Sequence, residues 1–264
     1  MRRRTLGTLS ALALTGLLAA CGGEGDTGAG SGGAEEPLTF GTEGTYAPFS
    51  YHDEQTDELV GYDIDVAEAV GEELGREVEF SENTWDALMA GMEAGRYDGV
   101  ANQVSITPER EAEYAFSTPY TVSTGVVVTR AGDTSITSLA DVAGKTSAQS
   151  ATSNWAQTAT DAGAQVEAVE GFAQAATLLK QGRVDVTIND NLAVLEYLKT
   201  TGDTGIEIAA ETPDTTQQAF VFPKEDTELA QQVSDALESL RADGTLAEIS
   251  QKWFGEDVSG PAAG

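Results

Sequence analysis

A single cysteine, Cys21, and a single histidine, His52, stand in a chain of 264 residues. An internal disulfide needs two cysteines, so none forms within this chain. Transition-metal sites draw on several His and Cys side chains, and one of each, far apart, excludes them. No metal or other cofactor is implied, and His52 is expected to decorate an exposed loop. Positive charge is scarce as well: 14 Lys and Arg face 44 Asp and Glu, a net charge of −30. Such a surface repels nucleic acid and anionic membrane, which removes both as electrostatic partners. The acidity fits solubility, with a salty habitat as the alternative, and it names no ligand. Long hydrophobic runs are missing too: "TLGTLSALALTGLLAA" at 5–20 is too short for a comfortable membrane span.

That run comes after "MRRR", and the two together read as a secretory signal with a basic n-region and an apolar core. It ends at Leu18-Ala19-Ala20-Cys21, which resembles the bacterial lipobox. The resemblance implies that residues 1–21 are a lipoprotein signal, that Cys21 is lipidated, and that it becomes the mature N-terminus. Residues 22–36, "GGEGDTGAGSGGAEE", hold almost nothing apolar and read as a flexible tether, reaching about 20 Å as a random coil. The folded part begins near Pro37. At 40% hydrophobic content the chain can bury one large core or two modest ones.

From there strands and helices alternate. "LTFGT" reads as a strand, and "YDIDVAEAVGEELG" as a helix with Asp63 a possible N-cap, Val66, Ala67, Val70 and Leu74 facing inward, and Gly75 at its end. "TWDALMAGMEAG" sets Trp85, Leu88, Met89 and Met92 on one helical face and closes at Gly95. Strands separated by such helices imply βαβ units and a parallel sheet. Two stretches then repeat each other 87 positions apart: "GRYDGVANQ" at 95–103 and "GRVDVTIND" at 182–190. The offset matches Trp85 with Phe172, Gly95 with Gly182, Arg96 with Arg183 and Asp98 with Asp185, and it sets Asn102-Gln103 on Asn189-Asp190. The repetition implies two α/β lobes of like construction, each ending a strand in a polar pair. In open α/β sheets ligands gather beyond the carboxyl ends of strands, so the lobes are expected to face each other across a cleft.

At this point the chain resembles the bacterial extracellular solute-binding proteins for polar amino acids that serve ABC importers. The resemblance runs from about Leu38 to Asp257 through "GTEGTYAPFSY", "GYDIDVAEAVGEELG", "WDALMAGMEAGRYDGVANQVSITPER", "FSTPYTVSTGVVV", "GRVDVTIND" and "DGTLAEISQKWFG". It implies a two-lobe clamshell in which each lobe is a mainly parallel sheet flanked by helices. Lobe 1 is expected at 37–128 and 223–257, lobe 2 at 129–222 and a flexible tail at 258–264. The crossing segments are placed near Val127–Arg130 and Val221–Lys224. It further implies a monomeric, non-enzymatic receptor, lipid-anchored outside the cell membrane and partnered by a permease. Two other classes share such a fold: cyclohexadienyl-dehydratase-like lyases, for which Glu43 or Asp190 would be the acid–base group, and sensor domains, against which the missing second apolar span counts.

Candidate contacts can be taken residue by residue. Thr107 and Pro108 in "SITPER" are an N-cap and first helical residue. They place Arg110 in the first turn, where the helix dipole disfavours a cation and a neighbour such as Glu113 can compensate. The resemblance instead gives Arg110 the ligand α-carboxylate, in a fork that suits a guanidinium, with backbone N–H at Ser105 assisting. Ser150, Thr152, Ser153 and Asn154 are implicated from the facing lobe, where Thr152 or Ser153 also suits a helix cap. Asp190 matches the partner of the α-ammonium and equally a cap for the helix after it. Tyr46 and Trp85 match the aromatic walls, although Trp85 also fits a helical core face. Glu43, Asn102 and Gln103 are assigned to the distal end of the ligand. "ANQVSITPER", "FSTPYTVS" and "SAQSATSN" look closest to the cystine-binding branch; glutamine and arginine remain the alternatives.

Overall fold

The computed structural model describes residues 36–260. The expectations for the signal, Cys21 and the tether up to residue 35 lie outside the described residues. In chain order the elements are β1 Leu38–Thr42, β2 Thr45–Tyr46, β3 Ser50–His52, β4 Leu59–Val60, α1 Tyr62–Leu74, β5 Val78–Glu82, α2 Trp85–Glu93, β6 Gly99–Ser105, α3 Pro108–Glu113 and β7 Tyr114–Phe116. They continue with β8 Thr121–Arg130, β9 Thr146–Gln149, α4 Asn154–Asp161, β10 Gln165–Ala168, α5 Phe172–Gln181, β11 Thr187–Asp190, α6 Asn191–Thr201, β12 Ile206–Pro223, α7 Thr227–Asp243 and α8 Thr245–Phe254. Among the described residues no helix is long and apolar enough to cross a membrane.

The βαβ pattern gives parallel pairs where it was expected: β1 with β5, β1 with β6, and β9 with β10. Two long strands make the sheet mixed. β8 and β12 run antiparallel to each other; at one end β12 pairs with β6, and at the other β8 pairs with β11. The sheet order β11-β8-β12-β6-β1-β5 therefore passes continuously from one lobe into the other. The β8/β12 register shifts between Glu211 and Thr215, opposite Thr124–Val126. There, too, a Cβ on Gly125 would collide with the Trp155 ring, so the strand runs bare beneath the facing lobe. The crossing thus lies just before Val127 on β8 but six to ten residues before Val221 on β12. Val221 and Phe222 pair with β6 and β7 inside lobe 1, and Val127 and Val128 pair with β11 inside lobe 2.

Each lobe has its own core. Lobe 1 is built on aromatics: Phe40, Phe49, Tyr62, Tyr120, Phe220 and Phe222 are fully buried between the sheet and α1, α7 and α8. Phe220 stacks between Phe40 and Tyr120, with ring centroids 5.0 and 4.6 Å away. Lobe 2 uses Val, Leu, Ile and Ala, with the Trp155 ring, on both faces of its strands.

Two local expectations change. Gly61, not Asp63, caps α1: its φ is +144°, and a Cβ there would strike the Phe49 carbonyl. Asp63 falls in the first turn and is buried. The expected flexible tail is anchored at its start, because Val258 packs into the lobe 1 core, its carbonyl accepts from Val122 N at 2.8 Å, and Ser259 is buried. His52 is exposed but tied down, with Nε2 2.9 Å from Glu82 Oε2 and Nδ1 2.9 Å from the Asp57 carbonyl.

Candidate ligand-binding site

The ends of β1, β6, β9 and β11 and the first turns of α2, α4 and α5 surround a cavity of about 280 Å³ between the lobes. Lobe 1 contributes Glu43, Tyr46, Trp85, Asn102 and Gln103 to its wall; lobe 2 contributes Ser150, Ser153 and Asn154. Eight of the twelve residues expected at the site thus line one space. The other four, Ser105, Arg110, Thr152 and Asp190, do not form its wall.

The lobe 1 floor is organised by carboxylates. Asn102 Nδ2 donates to Glu43 Oε2 at 2.7 Å, while Asn102 Oδ1 accepts from Glu43 N at 2.8 Å. Burial raises the Glu43 carboxyl to about 7, against the opposing pull of the Asn102 hydrogen bond. Beneath it, Asp63 accepts from Gln103 N at 2.9 Å, Gln103 Nε2 at 2.6 Å and Tyr120 OH at 3.0 Å. Burial lifts Asp63 to about 7 as well. These bonds hold Gln103 at φ +48°, a left-handed conformation that is strained for a residue with a side chain. The Gln103 amide nitrogen is therefore spent on Asp63 and Thr121 and is not presented to a ligand. A buried carboxylate without a cation must collect donors, and Gln103 supplies two of them.

Arg110 sits where the capping signature put it: Thr107 is the N-cap of α3, and its Oγ1 accepts from Arg110 N at 3.3 Å. Its guanidinium lies 5.3 Å from the centre of the Trp85 ring and donates to the backbone carbonyls of Ser105 at 3.0 Å and Thr152 at 3.4 Å. Among the described residues it forms no ion pair, with Glu113 or any other acid. Burial pushes it down to about 10. Asp190 is the N-cap of α6. Its Oδ1 accepts from Leu192 N at 2.9 Å and its Oδ2 from the Ser123 hydroxyl. It too has no cation partner among the described residues, and burial raises it to about 6. Next to it Asn189 does line the cavity, accepting from Tyr46 OH across the cleft at 2.8 Å.

Part of the wall has no signal in the sequence. Residues 169–175, the turn before α5 and its first turn, form much of the lobe 2 side. The repeat matches Phe172 to Trp85, and both rings do border the cavity. That correspondence alone could have nominated Phe172.

A cleft between two α/β lobes joined by two crossing strands, lined by polar strand ends and aromatic rings, defines a clamshell solute receptor. The chain belongs to the bacterial extracellular solute-binding proteins, family 3, whose model matches residues 38–256. That membership makes it a receptor and not an enzyme, and the lyase alternative falls. It is 54% identical over 222 residues to the L-cystine-binding protein TcyA of Bacillus subtilis (strain 168), covering 84% of this chain and 82% of the relative. Among solved structures, an ancestral arginine-binding protein bound to arginine overlays with a TM-score of 0.78 at 36% identity, covering 84% of this chain and all of the other. The L-cystine solute receptor of Neisseria gonorrhoeae, in an unliganded open conformation, overlays at 0.59 despite 45% identity, covering 86% and 96%. The lobes here take a closed arrangement, as their direct hydrogen bonds at Tyr46–Asn189 and Thr152–Asp86 require.

Proposed function

We propose that this protein is an extracytoplasmic receptor, anchored through Cys21, that binds a polar amino acid, most favourably L-cystine, and delivers it to an ABC importer. One observation carries the amino-acid reading. Two ionic groups of opposite sign, the half-buried Arg110 and the buried Asp190, stand outside the cavity wall but beside residues that form it, Trp85 and Asn189, and among the described residues neither has an ion-pair partner. A buried charge left uncompensated is costly, and the carboxylate and ammonium of one α-amino acid offset both at once. Asp190 would exchange its Ser123 bond for the ammonium, and Ser150, Ser153 and Asn154 would add donors from lobe 2.

The preference for cystine is supported by the similarity to cystine-binding relatives and by polar groups beyond that clamp. The Glu43–Asn102 pair and the 169–175 wall suit a second polar end, with Tyr46, Trp85 and Phe172 along the middle. A site with polar groups for the far end leaves them unpaired beside a short ligand, at about 1–3 kcal/mol each. Calorimetry of the purified protein with L-cystine, L-arginine, L-glutamine and L-serine tests this, with cystine expected to bind tightest. Arginine or glutamine outbinding cystine overturns the ligand, and no heat with any of the four overturns the amino-acid reading. Intact-mass measurement of the mature N-terminus reads the anchor: an unlipidated Cys21 removes it.

A further inference from the structure

Thr152 is expected from the sequence to offer its hydroxyl and amide to the ligand, but both point elsewhere. Thr152 Oγ1 donates to Asp86 Oδ1 at 2.7 Å and Thr152 N donates to the same oxygen at 3.2 Å. Asp86 stands in the first turn of α2, next to Trp85, so these bonds join lobe 1 directly to lobe 2. The carbonyl of Thr152 then accepts from Arg110 Nη2 at 3.4 Å, and Arg110 in turn lies over Trp85. A ring of four residues results, Asp86 to Thr152 to Arg110 to Trp85. Only Trp85 belongs to the cavity wall; Asp86, Thr152 and Arg110 close it from outside.

We propose that Asp86 is a positioning residue that latches the two lobes by holding Thr152 against Arg110. Asp86 itself does not touch the ligand. The geometry separates two kinds of cross-cleft contact. Tyr46–Asn189 lies in the wall, where a ligand competes for it, whereas Asp86 and Thr152 lie outside the wall, so a ligand in the cavity does not compete for their bond. A rim contact absent from the open arrangement stabilises the closed state alone, so it slows ligand escape and leaves entry nearly unchanged. The proposal uses the receptor reading only in requiring that the lobes open and close.

The test compares wild type, Asp86→Ala, Thr152→Val and the double variant, all as the full chain. Asp86 is exposed and bears no core contact, so the first variant is expected to fold. In ligand-free solution scattering, Asp86→Ala should have a larger radius of gyration than wild type. In stopped-flow tryptophan fluorescence with L-cystine as the probe, Asp86→Ala should release ligand about tenfold faster with association within about twofold, the scale of a lost charge-assisted hydrogen bond. On the Thr152→Val background the same change should shrink to about threefold, because only the backbone N–H of Thr152 remains. Equal dissociation rates, full additivity, or an unchanged ligand-free radius overturns the latch. Slower release from Asp86→Ala would instead make Asp86 a competitor for the ligand carboxylate's donors and overturns it too. If L-cystine gives no signal with wild type, the ligand assignment fails, and the ligand-free scattering still decides the latch.

Discussion

In lobe 1, Asp98 accepts from Thr39 N and Thr39 Oγ1, each at 2.8 Å, and its own N–H returns to the Thr39 carbonyl at 2.9 Å. In lobe 2, Asp185 accepts from Thr146 N at 2.9 Å and returns its N–H to the Thr146 carbonyl at 2.9 Å. The repeated Arg-x-Asp is therefore one device used twice: a turn that pins the next strand beside the first strand of its lobe. Beyond the turn the two lobes diverge. In lobe 1 the strand carries Asn102 and a strained Gln103 over the buried carboxylate of Asp63 and runs on to Ser105; in lobe 2 it ends at Asn189 and a carboxylate that caps a helix. The shared part builds the scaffold; in the proposed reading Arg110 of lobe 1, outside the repeat, supplies the cation and Asp190 of lobe 2 the anion nearest the α-amino group.

The strongest way to break that division of labour is to remove one charge. Arg110→Ala should lose about 30- to 3000-fold in amino-acid affinity while the fold survives, since truncating one member of a buried charge pair costs about 2–5 kcal/mol. Asp190→Asn keeps an oxygen for Leu192 N and should lose less, about 10- to 100-fold. Calorimetry showing under a threefold loss for Arg110→Ala removes it from the site. A larger loss for Asp190→Asn than for Arg110→Ala would reverse the assignment of the dominant jaw.

A second measurement sharpens the comparison through pH. Glu43 and Asp63 in lobe 1 rise to about 7 and Asp190 in lobe 2 to about 6, each chiefly by burial. A carboxyl raised on folding binds more protons folded than unfolded. Its contribution is therefore fully present below about pH 4 and is lost as pH rises toward 7. The ligand-free protein should melt at a higher temperature at pH 5 than at pH 8, by several degrees, about 2–4 °C for each kcal/mol. Asp63→Asn should flatten this slope more than Asp190→Asn does, because the lobe 1 carboxyl is raised further. A slope unchanged in both variants would assign it to the general acidity of the surface.

The sequence revealed what is local and periodic. Helix faces, the Thr107-Pro108 cap that fixes Arg110, and the Gly–Arg-x-Asp turns all act within a few residues, so their residue types announce them. Hidden were contacts whose halves stand far apart. Asp63 meets Gln103 across 40 positions and Asp86 meets Thr152 across 66, and the local pattern offered other uses, a helix cap for Asp63 and a ligand contact or cap for Thr152. β12 was hidden for another reason. Its 18 residues include Pro213, which argues against a long strand, and only the change of partners midway lets it run on through both lobes. Val258, one apolar residue among polar ones, carried no period to betray its burial.

The smallest expected effect reads the repeat itself. If Asp98 and Asp185 do the same work, their removal should weaken the same kind of junction, in proportion to what each holds. Asp98 is half-buried and accepts two bonds from Thr39; Asp185 is exposed and accepts one from Thr146. Asp98→Ala strands a part-buried backbone N–H and a hydroxyl, so a cost of about 1–3 kcal/mol is expected. Asp185→Ala leaves its Thr146 N–H open to water, so a cost of about 0.5–1 kcal/mol is expected. Urea unfolding of both variants checks the order, with the m-value expected to stay constant because neither change alters the surface exposed on unfolding. Equal costs would mean that burial does not set the difference. A negligible cost at Asp98 would reduce the repeat to a coincidence of turn sequences.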